Sequence, residues 1–356
     1  MKTIDEFLRE DVPGYFEGDG RDSDVVLASR VRLARNCKEI PFPNRAGENQ
    51  LAEVQMRVEK RMPGIGQTLG RQFYRLDMEH LLPIQRGVLA AKSFISPKFM
   101  QTPQHRVAFI SEDERISLLI NEEDHLRIQC MAPGFDLATP AALTSKIDDL
   151  FEAELDVAFD EKMGYLTSCP TNLGTGLRAM VLLHLPGLTA TKHLSGIVNL
   201  SPQLGLAVRP VWGNGKENAG DLYYISNQLT LGFSEAELLA NMKSTVQEIL
   251  AHEREARKAL AMYAKDGLED DVWRAYGTLR YARSISEQEA LRLLSKLRLG
   301  VELKLLHETD THTCHAILTG CQTACLKNLA ENENLSKKEI DRCRAKYIRE
   351  RLGEKN

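Results

Sequence analysis

The chain has 356 residues, 43% hydrophobic and 27% charged, with a formal net charge of −4. That length supports one large or two medium domains, and the charge balance excludes a bulk basic surface for nucleic acid or an anionic membrane. No apolar run approaches the 18 or so residues of a membrane-spanning helix, and seven cysteines without framework spacing point to a reducing cytoplasm rather than a disulfide scaffold.

Residues 1–24 are acidic and Gly-rich and read as a lead-in, too charged at their start for a secretory leader. Residues 25–36 open on an apolar run and read as a strand. Arg30 and Arg32, two apart, share one side of it. Aliphatic neighbours suggest partial burial, and a buried guanidinium needs an anionic partner. Residues 48–62 and 76–93 read as helices. Strands are expected at 107–110 and 116–120, around an acidic turn. The second runs on through 121–129, where Glu123, His125 and Arg127 share one parity. Such a strand presents a carboxylate and a guanidinium together, either for a substrate or as a cross-strand salt-bridge patch. Residues 139–162 read as an amphipathic helix.

The stretch 164–178 is dense in small and turn-forming residues around Cys169. Pro170 lacks an N–H and pushes Cys169 out of the α region, so the thiol sits on a constrained loop. A helix is expected over about 176–192, with Arg178 near its start. Residues 196–200, 206–212 (carrying Arg209) and 221–226 read as strands. The Gly/Asn-rich segment 213–220 reads as a mobile lid. From about residue 234 only helices are expected. Ser234 with Glu237, Ser286 with Glu289 and Ser336 with Glu339 have capping-box spacing. These open helices near 235–265, 287–299 and 337–352, with others at 269–283 and 313–331. His307, His312, Cys314, His315, Cys321 and Cys325 cluster within this part. Their spacing matches no standard zinc pattern, and they read as a packed Cys- and Ala-rich helix with no metal assigned. The implied organisation is a lead-in at 1–24, a mixed catalytic part at 25–255 and a helical part at 256–356.

Arg30, Arg32, Arg127, Arg178 and Arg209 stand in separate contexts, and no P-loop motif is present. Several arginines can neutralise a triphosphate through bidentate contacts, with Mg²⁺ bridging its oxygens. A nearby carboxylate and thiolate suit a guanidinium or ammonium substrate. The segments Ser29-Arg-Val-Arg-Leu-Ala-Arg-Asn36, Asn121-Glu-Glu-Asp-His-Leu-Arg127, Cys169-Pro-Thr-Asn-Leu-Gly-Thr175 and Ile225-Ser-Asn227 resemble the guanidino (phosphagen) kinases over about residues 22–255. Within them the chain is most similar to the bacterial protein arginine kinases. Only 28 residues precede Ser29, where phosphagen kinases carry a helical domain that helps enclose a small substrate. The segment Asp341–Leu352 is similar to that branch's C-terminal signature.

The resemblance implies an α+β fold: a largely antiparallel sheet flanked by helices, followed by a C-terminal helical domain. It implies phosphoryl transfer from ATP, with Mg²⁺, to arginine side chains of proteins. Ser29, Arg30, Arg32, Ser93, Arg127, Arg178 and Arg209 would form the nucleotide set. Glu123 would hold and help deprotonate the guanidinium, and Cys169 would contact it as a thiolate. Asn214 stands where the family usually has a second substrate carboxylate, Ser93 where it usually has a nucleotide-contacting His, and Ile340 where an Arg usually precedes Asp341 in a pocket for phosphoarginine. By the same resemblance, the setting is the cytoplasmic stress response. The partners are a small zinc-binding activator protein and a Clp unfoldase-protease, and the chain forms a homodimer through its C-terminal helices, with no membrane or direct nucleic-acid role. The alternatives are a nucleotide-binding regulatory or adaptor protein with catalysis reduced by Asn214, and a small-molecule guanidino kinase.

Overall fold

The computed structural model describes residues 3–18, 20–212 and 219–353. The described residues form ten strands: β1 Val26–Arg35, β2 Phe73–Asp77, β3 Val107–Ser111, β4 Ile116–Ile120, β5 Leu126–Pro133, β6 Phe159–Asp160, β7 Gly164–Tyr165, β8 Leu177–His184, β9 Leu206–Pro210 and β10 Leu222–Asn227. Eight form one sheet in the order β2-β3-β4-β5-β1-β8-β10-β9, antiparallel throughout, while β6 and β7 make a separate hairpin.

Side-chain alternation along these strands divides the sheet into two unlike faces. Val31 and Leu33 of β1, Ile128 of β5 and Val181 of β8 join one apolar core. Helices Glu48–Glu59, Met62–Leu69, Ala138–Glu152 and Glu235–Tyr263 contribute its other side. Ala28, Met131, Leu182 and Leu222 join a second core on the opposite face. There they meet Phe7 and Tyr15 from the start of the chain and Leu291, Leu318 and Tyr347 from its C-terminal helices. The lead-in is therefore a packed part of the molecule, with Phe7 and Leu8 buried.

Several local expectations change. The helix expected over 76–93 is only Pro83–Ala91, and its start is taken by β2. Pro83 at the first helical positions accounts for the boundary, since its missing N–H costs nothing there. The strand expected through 121–129 starts only at Leu126, because Asn121 takes a positive φ of 60° that ends β4. Residues 176–192 are not one helix: 177–184 form β8, paired on both edges with β1 and β10. There, period-two burial of Leu177, Ala179, Val181 and Leu183 outweighs helical propensity. Residues 196–200, expected as a strand, lie in a helix Leu194–Leu200 that turns Leu194 and Ile197 to the core at i, i+3 spacing. The helix begun near 139 stops at Glu152, before the small hairpin. The piece expected at 313–331 is two helices, Thr311–Gly320 and Thr323–Leu329. Asn214 and Glu217, in the expected lid, lie outside the described residues.

A buried ion pair ties helix Glu235–Tyr263 to the sheet. Glu253 is fully buried and accepts from the Gly187 and Leu188 amides at 2.9 and 2.8 Å. Arg257 donates to Glu253 Oε1 at 2.6 Å, to Asp24 O at 2.9 Å and to His184 O at 3.0 Å. Removing the carboxylate strands the buried guanidinium. Glu253→Ala is therefore expected to lower the urea-unfolding free energy by roughly 3–5 kcal/mol. A loss below about 1 kcal/mol, the value of an exposed pair, would contradict this role.

Candidate active site

Antiparallel register decides which side chains share a face, because directly paired residues point the same way. Arg32 pairs with Arg178 on β8 and Gln129 on β5. Arg30, two residues on, pairs with Met180 and Met131, and Arg127 pairs with Ala34. On the far side of β8, Tyr224 pairs with both Leu182 and Arg209. All five arginines therefore project from one face, across four strands. Arg35 has the other parity. It lies buried against Asp148 at 2.5 Å and over the Tyr165 ring at 3.4 Å, and so braces the opposite core.

This face carries an unbalanced positive charge. Arg127 pairs with Glu122 at 2.7 Å. Among the described residues, no carboxylate lies in ion-pair range of Arg30, Arg32, Arg178 or Arg209. Arg30 Nε is buried with no hydrogen-bond partner, and its Nη2 meets only the Met180 sulfur at 3.3 Å. Burial, together with repulsion from Arg30 and Arg178, lowers the Arg127 pKa; burial and Arg209 do the same to Arg178. Arg209 is exposed, but the other four guanidiniums are held together partly out of water with too little counter-charge, and a polyanion supplies it.

Three of the arginines open onto a cavity of about 430 Å³. Arg30, Arg32 and Arg127 line one end, and Tyr15, Phe16, Trp212, Leu318 and Gln322 line other parts of its wall. Ser93 lines it as well, at a positive φ of 60°, with its carbonyl held by Gln129 Nε2 at 3.0 Å. Ser29 does not. It faces the other side of β1, where its hydroxyl donates to Gly134 O at 2.8 Å and accepts from the Asp136 amide at 3.1 Å. The aromatic and C-terminal wall had no local sequence signal, since its residues lie hundreds of positions apart.

Beside the arginines, the 121–125 turn meets the Cys169 loop. Asp124 accepts from Asn36 Nδ2 and from the Ser168 amide, each at 2.7 Å, and so clamps turn to loop. Thr167 Oγ1 donates to Cys169 O at 2.8 Å, and the Cys169 thiol lies 3.1 Å from Thr171 Oγ1. Thr230 Oγ1 spans Thr171 O and Leu173 O at 3.1 and 2.6 Å. Arg178 links the two halves. It donates to Asn172 Oδ1 at 3.0 Å and to Asn227 O, and its charge pulls on the Glu123 carboxyl. A cavity of about 40 Å³ joins Glu123 to Arg32, Asn172 and Arg178. Ser96 donates to Glu122 at 2.5 Å, so Glu122 is committed to Ser96 and Arg127, whereas Glu123 meets only Lys98, at 3.8 Å. Burial and the Glu122 charge push the Glu123 carboxyl above its ordinary range, against the pull of Lys98 and Arg178. His125 stands apart from this chemistry. Its Nδ1 accepts from the Cys37 amide at 3.1 Å and its Nε2 faces Pro41 O at 3.0 Å, so burial keeps it neutral, with a pKa of about 4.

In the C-terminal part, Arg344 is almost wholly buried. It donates to Asp341 at 2.6 Å, Cys321 O at 2.9 Å and Ile285 O at 3.0 Å. Ile340, four residues earlier on the same helix, is buried as well. Cys314 and Cys321 are buried thiols raised to about 12 by their surroundings, and His315 stacks on Phe16 at 4.9 Å. No group of three metal-binding side chains occurs among the described residues.

If the arginine face holds a triphosphate, Arg30→Ala should weaken binding of a non-hydrolysable ATP analogue by roughly 10- to 100-fold, the worth of a charged hydrogen bond. Calorimetric titration of the full chain measures this, and an unchanged affinity would remove Arg30 from the site.

The chain matches the ATP:guanido phosphotransferase C-terminal catalytic domain over residues 53–256 and the protein-arginine kinase McsB C-terminal domain over residues 265–356. It is 39% identical to a protein-arginine kinase of Brevibacillus brevis over 347 residues, covering 98% of this chain and 97% of that one. It is 41% identical to a protein-arginine kinase of Bacillus cereus over 355 residues, covering 99% and 100%. Among solved structures, the fold is similar to the duplicated taurocyamine kinase of Schistosoma mansoni, with a TM-score of 0.59 at 22% identity over 72% of this chain and 39% of that one. Lombricine kinase gives a TM-score of 0.56 at 24% identity over 69% and 70%. At those identities the two structures speak for the fold alone, whereas the full-length relatives speak for the family. On the matched catalytic and C-terminal regions together, this chain belongs to the ATP:guanido phosphotransferases, in the protein-arginine kinase family.

Proposed function

We propose that this chain transfers the γ-phosphoryl group of ATP to a guanidino nitrogen of arginine side chains in proteins. One observation carries the reading: five arginines, four of them without a carboxylate partner among the described residues, share one sheet face that ends beside Glu123 and the Cys169 loop. The protein-arginine kinase relatives direct it towards protein substrates.

Arg30, Arg32, Arg127, Arg178 and Arg209 orient the phosphates and neutralise the charge that grows on them, so the work is alignment and electrostatics. Mg²⁺, arriving with the nucleotide, would supply further counter-charge to the phosphates. Glu123 receives a proton from the substrate guanidinium as the N–P bond forms and the bond from phosphorus to the leaving ADP oxygen breaks. Cys169 offers its sulfur to the same guanidinium. Asn227 fixes Arg178 by accepting at its backbone carbonyl. Its side chain also caps β8, taking the Ala179 amide at 2.9 Å and donating to Leu177 O at 3.0 Å.

The finer setting is inferred from resemblance: a cytoplasmic stress response, a small zinc-binding activator protein, a Clp unfoldase-protease and a homodimer. Among the described residues no helix is long and apolar enough to cross a membrane.

The direct test is mass spectrometry for phosphoarginine after incubating the chain with Mg-ATP and a basic protein, with Glu123→Ala as control. Turnover of free arginine but never of protein would overturn the proposal. Nucleotide binding without turnover, rescued by Asn214→Glu, would favour the adaptor reading instead.

The Glu123 pKa gives a pH test. Its carboxyl is raised, so the proton-accepting form is present above that raised value and is lost as pH falls through it. The kcat/KM profile should therefore show an acid limb above the ordinary glutamate value of about 4.3. Glu123→Gln should abolish that limb and lower the rate by roughly 10²- to 10⁴-fold. An unchanged limb in the variant would assign it to another group.

A further inference from the structure

The cavity beside the arginines has a direction. Along β1 the lining runs from Arg32 through Arg30 to Ala28, and along β8 and β10 it takes in Met180, Leu182 and Tyr224. Four residues of extended chain span roughly 13 Å, so the wall changes from guanidinium to apolar over about the length of a nucleotide. With its phosphates on the arginines, a nucleotide would lay its base towards Ala28 and Leu182. Tyr15 and Phe16 come from the start of the chain, while Leu318, Thr319 and Gln322 come from the C-terminal helical part.

Gln322 is the long polar side chain in that C-terminal wall. It is the N-cap residue of helix Thr323–Leu329, yet its side chain makes no capping hydrogen bond. Its Nε2 faces two backbone carbonyls, Ala91 O at 3.3 Å and Leu318 O at 3.5 Å. Both can only accept, so the amide orientation is set: the NH₂ group points to the backbone. Oε1 accepts no hydrogen bond among the described residues. The backbone beneath is held firmly, because Arg344 donates to Cys321 O at 2.9 Å and to Thr323 Oγ1 at 3.2 Å on either side of Gln322.

We propose that Gln322 is a base-specificity residue, its Oε1 accepting from the exocyclic amino group of adenine. This inference rests on the nucleotide reading of the cavity given under the proposed function. Guanine presents a carbonyl oxygen at the corresponding ring position, and two acceptors facing one another in a partly dry pocket repel. The C-terminal helical part thereby contributes a contact to the substrate of the catalytic sheet, and nucleotide choice depends on its docking.

The test measures non-hydrolysable ATP and GTP analogues binding to the full-length chain by calorimetry, in the unaltered protein, Gln322→Met and Gln322→Lys. The expected result is a preference for the ATP analogue in the unaltered chain, reduced roughly tenfold by Gln322→Met, which keeps the side-chain length and removes the acceptor. Gln322→Lys, which offers a donor to the guanine carbonyl, should reduce the preference further. The ratio of the two affinities is its own folding control, since a misfolded fraction lowers apparent binding of both analogues alike. An unchanged ratio with binding intact would overturn this inference and leave the proposed function standing. Failure of the unaltered chain to bind either analogue would overturn both.

Discussion

Like-charge crowding on one face of an antiparallel sheet is the constraint on which the site depends. Five guanidiniums are placed there by strand register, and only Arg127 has a carboxylate partner among the described residues. In isolation such a surface is unfavourable, because burial removes hydration without supplying counter-charge. It persists because the strands beneath are committed elsewhere. β1 and β8 are central in the sheet, and their opposite faces lie in a continuous apolar core. The stability of one face thus holds the other in a state suited to an anion.

The acidic side of the site is built on a different principle. Three consecutive carboxylates, at 122 to 124, receive three different tasks from their neighbours. Glu122 is occupied by Arg127 and Ser96, and Asp124 by Asn36 and the Ser168 amide. Glu123 is left half-buried with a raised proton affinity. Adjacent residues of one type separate into two structural braces and one candidate base, according to which partner reaches which oxygen.

The C-terminal helices extend this arrangement. They pack in one apolar cluster with the start of the chain and with the arginine-bearing face of the sheet, and part of that cluster forms the wall of the large cavity. The region matched by the family's C-terminal domain and the region matched by its catalytic domain therefore share a surface where a nucleotide would lie.

Much of the chemistry was legible along the chain. The pairing of Arg30 and Arg32, the constrained Cys169 loop, the acidic 121–124 run and three capping boxes are local features, set by short-range sterics and hydrogen bonding. Of the capping boxes, Ser234 with Glu237 and Ser336 with Glu339 form reciprocally as expected, and Ser286 accepts from the Glu289 amide. What local pattern missed was pairing. Residues 177–184 look helical until two neighbouring strands claim their edges, and the 121–125 segment looks extended until Asn121 turns it. Ser29 and His125 share motifs with site residues, but parity and burial assign them to structural roles. Tyr15, Trp212 and Gln322 carry no signal of their own, because only packing of distant segments brings them to one cavity. Composition and short-range sterics set which charged and reactive groups the protein possesses and the short loops that hold them. Tertiary structure alone decided which of them face one another, because sheet register and the burial of apolar faces are long-range conditions that no single segment can satisfy.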